Sequence, residues 1–264
     1  MPTYQRIVWI GIAITAVAIL VLGYFLFLAP AGEKQAVTIP DTSSLPGKEF
    51  PAAAAAVDEA DPAIVPLDLD LDRSDERVRE LVAAAAIPAA MKAWLQQKEI
   101  VRTVVAVVDN IAQGQSPAAL LPFLAPEGKF QAMERDGAFT LDPRSYRRYD
   151  PLVSALAAVP DKTWITWYKT LRPTLEKAFR ELGYPGVTFA ERVQQAIEQL
   201  TQVPPLPEPV ALEKKLLSFA FADANLETLN PAQKHLLRLG PGNAGRIQKK
   251  LRSLAALLNA GKIK

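Results

Sequence analysis

Residues 7–28, IVWIGIAITAVAILVLGYFLFL, are 22 consecutive positions without a charge, and this run limits every reading of the chain. As an α-helix it would measure about 33 Å, against a hydrocarbon core of about 30 Å. Fourteen of its residues are Ile, Val, Leu or Phe, and at mid-bilayer their insertion is worth on the order of −6 kcal/mol. Trp9 and Tyr24 lie near its ends, where amphipathic rings sit at an interface. A cleaved signal peptide fits less well: its core is about 7–15 residues, only Arg6 precedes the run, and Pro30 falls inside the small-residue stretch Ala29-Pro30-Ala31. Residues 1–6 are thus read as a short tail and Ile7–Leu28 as a single transmembrane helix in contact with the lipid bilayer. A very short N-terminal side and a long C-terminal part suit a signal anchor with the bulk outside the cytoplasm.

Residues 29–73 change character. Prolines recur at 30, 40, 46, 51, 62 and 66 among alanines, and nine acids stand against Lys34, Lys48 and Arg73, a net of −6. No apolar period is sustained, so the segment reads as a disordered, acidic Pro/Ala-rich linker, with a coil span of about 40 Å. Residues 74–264 carry 26 basic and 19 acidic residues, a net of +7, and from Thr228 onward there are eight Lys or Arg and no acid.

That second part reads as one compact, mainly α domain. Ser74 is placed to cap a helix over DERVRELVAAAA. Ile100, Val104, Val108 and Ile111 put an apolar stripe on a helix closed by Gly114, and Ser116-Pro117 opens a short one. Asp136-Gly137 between KFQAME and AFTL predicts a small β-hairpin, because both turn residues tolerate positive φ. Asp142-Pro143, Asp150-Pro151 and Asp161 each read as helix openers. The stripe Trp164, Tyr168, Leu171, Leu175, Phe179, Leu182 predicts a helix over 162–182 with Pro173 as a kink, ended by Gly183. Thr188 and Glu191 form a capping box for the next helix. VPPLPEPV follows as an extended strap, and Asn230-Pro231 and residues 243–259 supply two last helices.

Absences narrow the chemistry. There is no cysteine, which removes disulfides, thiolate metal sites and cysteine nucleophiles, and His235 is the only histidine. Catalytic triads and His-cluster metal sites are therefore disfavoured, and neither a metal nor a cofactor is expected. No GxSxG, Walker A or HExxH pattern occurs.

Four groups remain as candidates. Tyr146, Arg147, Arg148, Tyr149 and Asp150 could line a polar groove for a sugar or peptide, or else Asp150 caps a helix while the tyrosines pack. Trp164, Trp167 and Tyr168 could stack on glycan rings, but their spacing is that of a core stripe. Glu176, Glu181 and Glu191 could serve as glycosidase-type acid and base, which needs a pair about 5–10 Å apart. As a capping-box partner and a solvated helix face they have blander roles. Arg246, Lys249, Lys250 and Arg252 form a basic surface suited to anionic head groups or plain solvation. LRLGPGN ahead of them is loosely similar to a helix-hairpin-helix turn, with the register off by one and Pro241 where an apolar residue belongs; nucleic acid is a disfavoured partner.

SYRRYDPLVSAL, AFRELGYP and FADANLETLNPAQKHLLRLGPGNAGRIQKKLR, in this order, resemble the Domain of Unknown Function 3014 family over most of 74–259. The resemblance implies a bacterial protein with an N-terminal membrane helix, a proline-rich tether and one C-terminal domain. It implies no activity, cofactor or catalytic residue. The expectation is an inner-membrane, single-pass protein with a periplasmic, non-enzymatic domain that binds an envelope protein or peptidoglycan. A carboxylate-based envelope enzyme or glycan-binding domain is the alternative.

Overall fold

The computed structural model describes residues 64–260 other than Ala86 and Leu217. Ile7–Leu28 and the linker up to residue 63 lie outside the described residues, among which no helix is long and apolar enough to cross a membrane. What is described is a mainly helical domain with a small antiparallel sheet.

The helices are α1 (Ser74–Ala83), α2 (Ala89–Trp94), α3 (Ile100–Ala112), α4 (Pro143–Arg147), α5 (Asp150–Ala158), α6 (Asp161–Arg180), α7 (Phe189–Thr201), α8 (Ala224–Glu227), α9 (Pro231–Arg238) and α10 (Pro241–Ala260). At the centre stands α3, whose predicted stripe is buried and which packs on α1, α6 and α7. Its first amides are satisfied from outside: the Asp75 carboxylate accepts from the N–H groups of Glu99 and Ile100, both at 2.8 Å. Gly114, at φ +71°, ends the segment. In α6, Pro173 lies inside the helix without ending it, and Trp164, Tyr168, Leu171, Leu175 and Phe179 are buried as the spacing predicts. Leu182 departs from the predicted stripe, lying beyond the helix and exposed.

The predicted capping box forms at Thr188/Glu191, and a second one joins Asn230 and Gln233 at the start of α9. Of the three aspartates read as helix openers, only Asp142 caps, accepting from the Arg144 N–H at 2.8 Å. Asp150 and Asp161 are first residues whose N-caps, Tyr149 and Pro160, make no side-chain cap bond. Ser74 likewise is not the cap of α1; its hydroxyl donates to the Leu71 carbonyl at 2.9 Å.

The hairpin consists of β1 (Ala132–Arg135) and β2 (Ala138–Leu141), joined through Asp136 and Gly137 at φ 52° and 78°. It is half of a larger object. β3 (Ala211–Lys214) pairs with β2, and β4 (Phe219–Phe221) with β3, giving a four-stranded meander in the order β1-β2-β3-β4. Leu141, Leu212 and Phe221 bury one end against the helices. The strap before β3 places Val203, Leu206 and Val210 in the core.

The folded part also begins earlier than Ser74. Leu67 and Leu69 pack against the core, with Asp68 and Asp70 turned toward solvent. The Leu67 N–H donates to the Thr170 carbonyl at 2.7 Å, and the Thr174 hydroxyl donates to the Leu67 carbonyl at 2.7 Å. The last residues assigned to the linker therefore belong to the domain.

Candidate functional site

The Tyr146–Asp150 segment joins α4 to α5 beneath the start of α10. Tyr146 is buried against Gly240, so closely that a Cβ on that glycine would fall 2.3 Å from the ring's Cγ. Its hydroxyl has no hydrogen-bond partner among the described residues, and burial pushes the phenol well above its ordinary range. Burial likewise raises Tyr149 to about 12, against the pull of Arg148 and Arg238. Arg148 lies over the Tyr149 ring at 5.0 Å, and its guanidinium donates to the carbonyls of Ser145 and Gly128 at 3.1 and 2.9 Å. The Asp150 carboxylate accepts from the Asn243 side-chain amide at 2.8 Å. Arg147 is exposed and has no such tie among the described residues. The contacts of this segment are thus those of a packing joint between helices, the second of the two alternatives that its residue types allow.

The basic flank of α10 divides in a similar way. Lys250 donates to the Val159 carbonyl and pairs with Asp161, each at 2.5 Å, while Ser253 binds the other Asp161 oxygen. Burial works to raise Asp161, but these hydrogen bonds outweigh it and leave the carboxyl below its usual range. Arg252 donates to the Thr201 carbonyl at 3.1 Å, and Arg246 reaches the Ser154 hydroxyl at 3.3 Å. Lys249 points to solvent. These cations fan out over the C-terminal ends of α5 and α7 and do not form one continuous patch. The Leu239-Gly240 turn cannot serve as a phosphate cradle, because Tyr146 covers it and its Gly240 N–H already donates to the Leu237 carbonyl.

Trp164 and Trp167 are fully buried and meet edge to face at 5.3 Å, so neither ring is open to a sugar. The three glutamates have separate structural partners. Glu176 accepts from the Phe189 N–H at 2.9 Å at the start of α7, Glu181 takes a two-pronged hydrogen bond from Arg102, and Glu191 closes the capping box. His235 is buried, with Nδ1 3.1 Å from the Ser116 hydroxyl. Desolvation, reinforced by Arg238, outweighs its bond to the Pro231 carbonyl and lowers it to about 3, so the imidazole is neutral at ordinary pH.

One cluster escaped the sequence reading. Asp109, in the apolar stretch of α3 that follows Thr103, is buried and lies 3.0 Å from Arg192 of α7. Its other oxygen accepts from the Tyr184 hydroxyl at 3.0 Å and the Gln113 amide at 2.6 Å, and the Arg192 guanidinium covers the Tyr184 ring at 4.6 Å. The signal was a carboxylate inside VVAVVDNIA, a place where a lone charge demands a partner. The cluster ties α3, α7 and the loop between α6 and α7 together. Among the described residues no group of three His, Asp or Glu side chains could hold a metal ion.

Fold and site together define a mainly helical domain with a small antiparallel sheet, in which several of the candidate side chains hold helix ends. Residues 100–255 match the family model described as a protein of unknown function, DUF3014, and the chain belongs to that family. No curated protein and no solved structure matches it.

Proposed function

We propose that the chain is a non-enzymatic, single-pass membrane protein, held by Ile7–Leu28 in a bacterial inner membrane, whose helical domain stands in the periplasm and binds a protein partner or cell-wall material. The observation that carries the non-enzymatic part is the engagement of its carboxylates. Glu176 holds a helix start, Glu181 an arginine and Glu191 a capping box, so each meets a separate structural partner where acid–base work would need a facing pair. The anchor rests on the length and apolarity of residues 7–28.

Two measurements test it on the full chain. An enzyme reporter fused after Lys264 is expected to work only as a periplasmic reporter, and alkaline washing is expected to leave the chain in the membrane pellet. A photo-crosslinker at the exposed Arg147 is expected to trap a discrete partner in intact cells. A cytoplasmic reporter signal, or release by alkali, refutes the anchored periplasmic reading.

A further inference from the structure

In a meander the β1–β2 and β3–β4 turns fall at the same end of the sheet, and here that end points away from the buried Leu141, Leu212 and Phe221. Leu216, in the β3–β4 turn, is 96% exposed, the most exposed large apolar side chain described. Lys214 and Lys215 directly precede it in the chain and are exposed. Behind them Phe139 and Phe219 pack 5.5 Å apart, half-buried, with the Lys214 ammonium 5.4 Å from the Phe139 ring.

We propose that this end of the sheet rests on the bilayer that holds the chain, with Leu216 entering the interface and the two lysines at head-group level; the inference relies on the anchored reading of Ile7–Leu28. An exposed leucine directly after two exposed lysines suits a lipid surface, where the apolar side chain leaves water while the ammonium groups stay hydrated. Glu134, Asp136 and Glu213 offset the charge of Arg135, Lys214 and Lys215, and Glu213 pairs with Lys215 at 2.7 Å. The contact is therefore led by Leu216, with anionic lipid a secondary gain. Its size decides the occupant. A stable protein interface buries about 1,200–2,000 Å², far more than one turn offers, whereas a tethered chain meets its own membrane at an effective concentration near mM. A contact too small for a free partner is sufficient there.

Because the chain has no cysteine, single substitutions can carry one fluorescent label each. The full chain is reconstituted in phosphatidylcholine vesicles with and without phosphatidylglycerol, labelled in turn through Leu216→Cys, Ala256→Cys on the exposed face of α10, and Ala18→Cys. The expected result is a blue-shifted Leu216-site label shielded several-fold from aqueous acrylamide, an Ala256-site label in water and an Ala18-site label in the bilayer core. Lys214→Glu with Lys215→Glu is expected to weaken the shielding on anionic vesicles; shielding unchanged by both reversals overturns the role of the lysines. An inserted Ala18-site label with an aqueous Leu216-site label overturns the sheet contact alone. An aqueous Ala18-site label overturns the anchor and the contact with it. Shielding at Leu216 only in native membranes, never on pure lipid, overturns lipid in favour of a protein partner.

Discussion

Lowering the pH from 7 to 5 should remove about 2 kcal/mol of folding stability through His235 alone. The imidazole is buried between α9 and Ser116, and its pKa falls from 6.5 to about 3. Above about pH 6.5 the group is neutral in folded and unfolded chains alike and contributes nothing to the pH dependence. Below that value the unfolded chain takes up a proton that the folded one refuses, so stability falls with pH until about 3. At pH 5 the unfolded histidine lies about 1.5 pH units below its midpoint, and each unit is about 1.36 kcal/mol. The carboxylates act in a lower window. Asp161 and Glu227 sit below their ordinary values of 3.8 and 4.5 because bonds to Lys250 and Lys234 outweigh burial, so their stabilisation is lost mainly under pH 4.5. Urea unfolding of the detergent-solubilised chain, followed by the fluorescence of the buried Trp164 and Trp167, reads the loss at pH 7, 6 and 5. His235→Gln, which cannot titrate, should flatten the slope. As His235 is the only histidine, its ring-proton resonance reports the folded midpoint without assignment; a midpoint near 6.5, or a slope unchanged in the Gln variant, refutes the argument.

Removing one partner of the buried Asp109–Arg192 pair, as in Asp109→Ala, should destabilise by about 3–5 kcal/mol, while Asp109→Leu with Arg192→Met should recover much of that in a double-mutant cycle of denaturant midpoints. Gly240→Ala combines φ +84° with a Cβ 2.3 Å from the Tyr146 ring, and should cost more than about 2 kcal/mol by the same assay. Glu176→Ala removes the carboxylate that receives the first amides of α7, for a loss of about 1 kcal/mol in thermal or chemical unfolding.

What was legible in the sequence was local. Asp136-Gly137 announces a hairpin because both residues must take positive φ, and they do so at 52° and 78°. Thr188 and Glu191 find each other within one helical turn, so the signal and the bond lie in the same stretch of chain, and Asn230-Pro231 likewise marks the start of α9. Asp150 and Asp161 do open their helices, as first-turn residues, but their side-chain partners, Asn243 and Ser253, are 93 and 92 residues away and leave no trace in the neighbouring sequence. β3 and β4 have four and three residues, too few for alternation to stand out, and they are held by pairing, β3 on β2 and β4 on β3. The Leu67-Asp68-Leu69-Asp70-Leu71 alternation was present in the sequence, but acids and prolines around it made it look like linker until Thr170 and Thr174 supplied its partners. At the candidate site, the contacts of 146–150 agree with the packing alternative for its tyrosines, which are buried, while Asp150 binds Asn243 from the first turn of α5 instead of capping it.

The acid-free C-terminus acquires a physical reason from this arrangement. Helices end in unpaired carbonyls with partial negative charge, which cations stabilise and carboxylates do not. α10 crosses several such ends: Asn243 meets the Tyr146 carbonyl, Gln248 those of Leu200 and Val203, Lys250 that of Val159 and Arg252 that of Thr201. An acid at positions 248, 250 or 252 would face those oxygens with like charge and no donor. Lys234 follows the same logic one helix earlier, binding the Glu227 carbonyl and carboxylate at the end of α8. A run of positive charge that reads from sequence as a solvated face or a surface for anionic head groups is thus in good part the means by which the last helices hold the domain closed, and a partner is better sought at Arg147 and the sheet tip, where exposed side chains have no such duty.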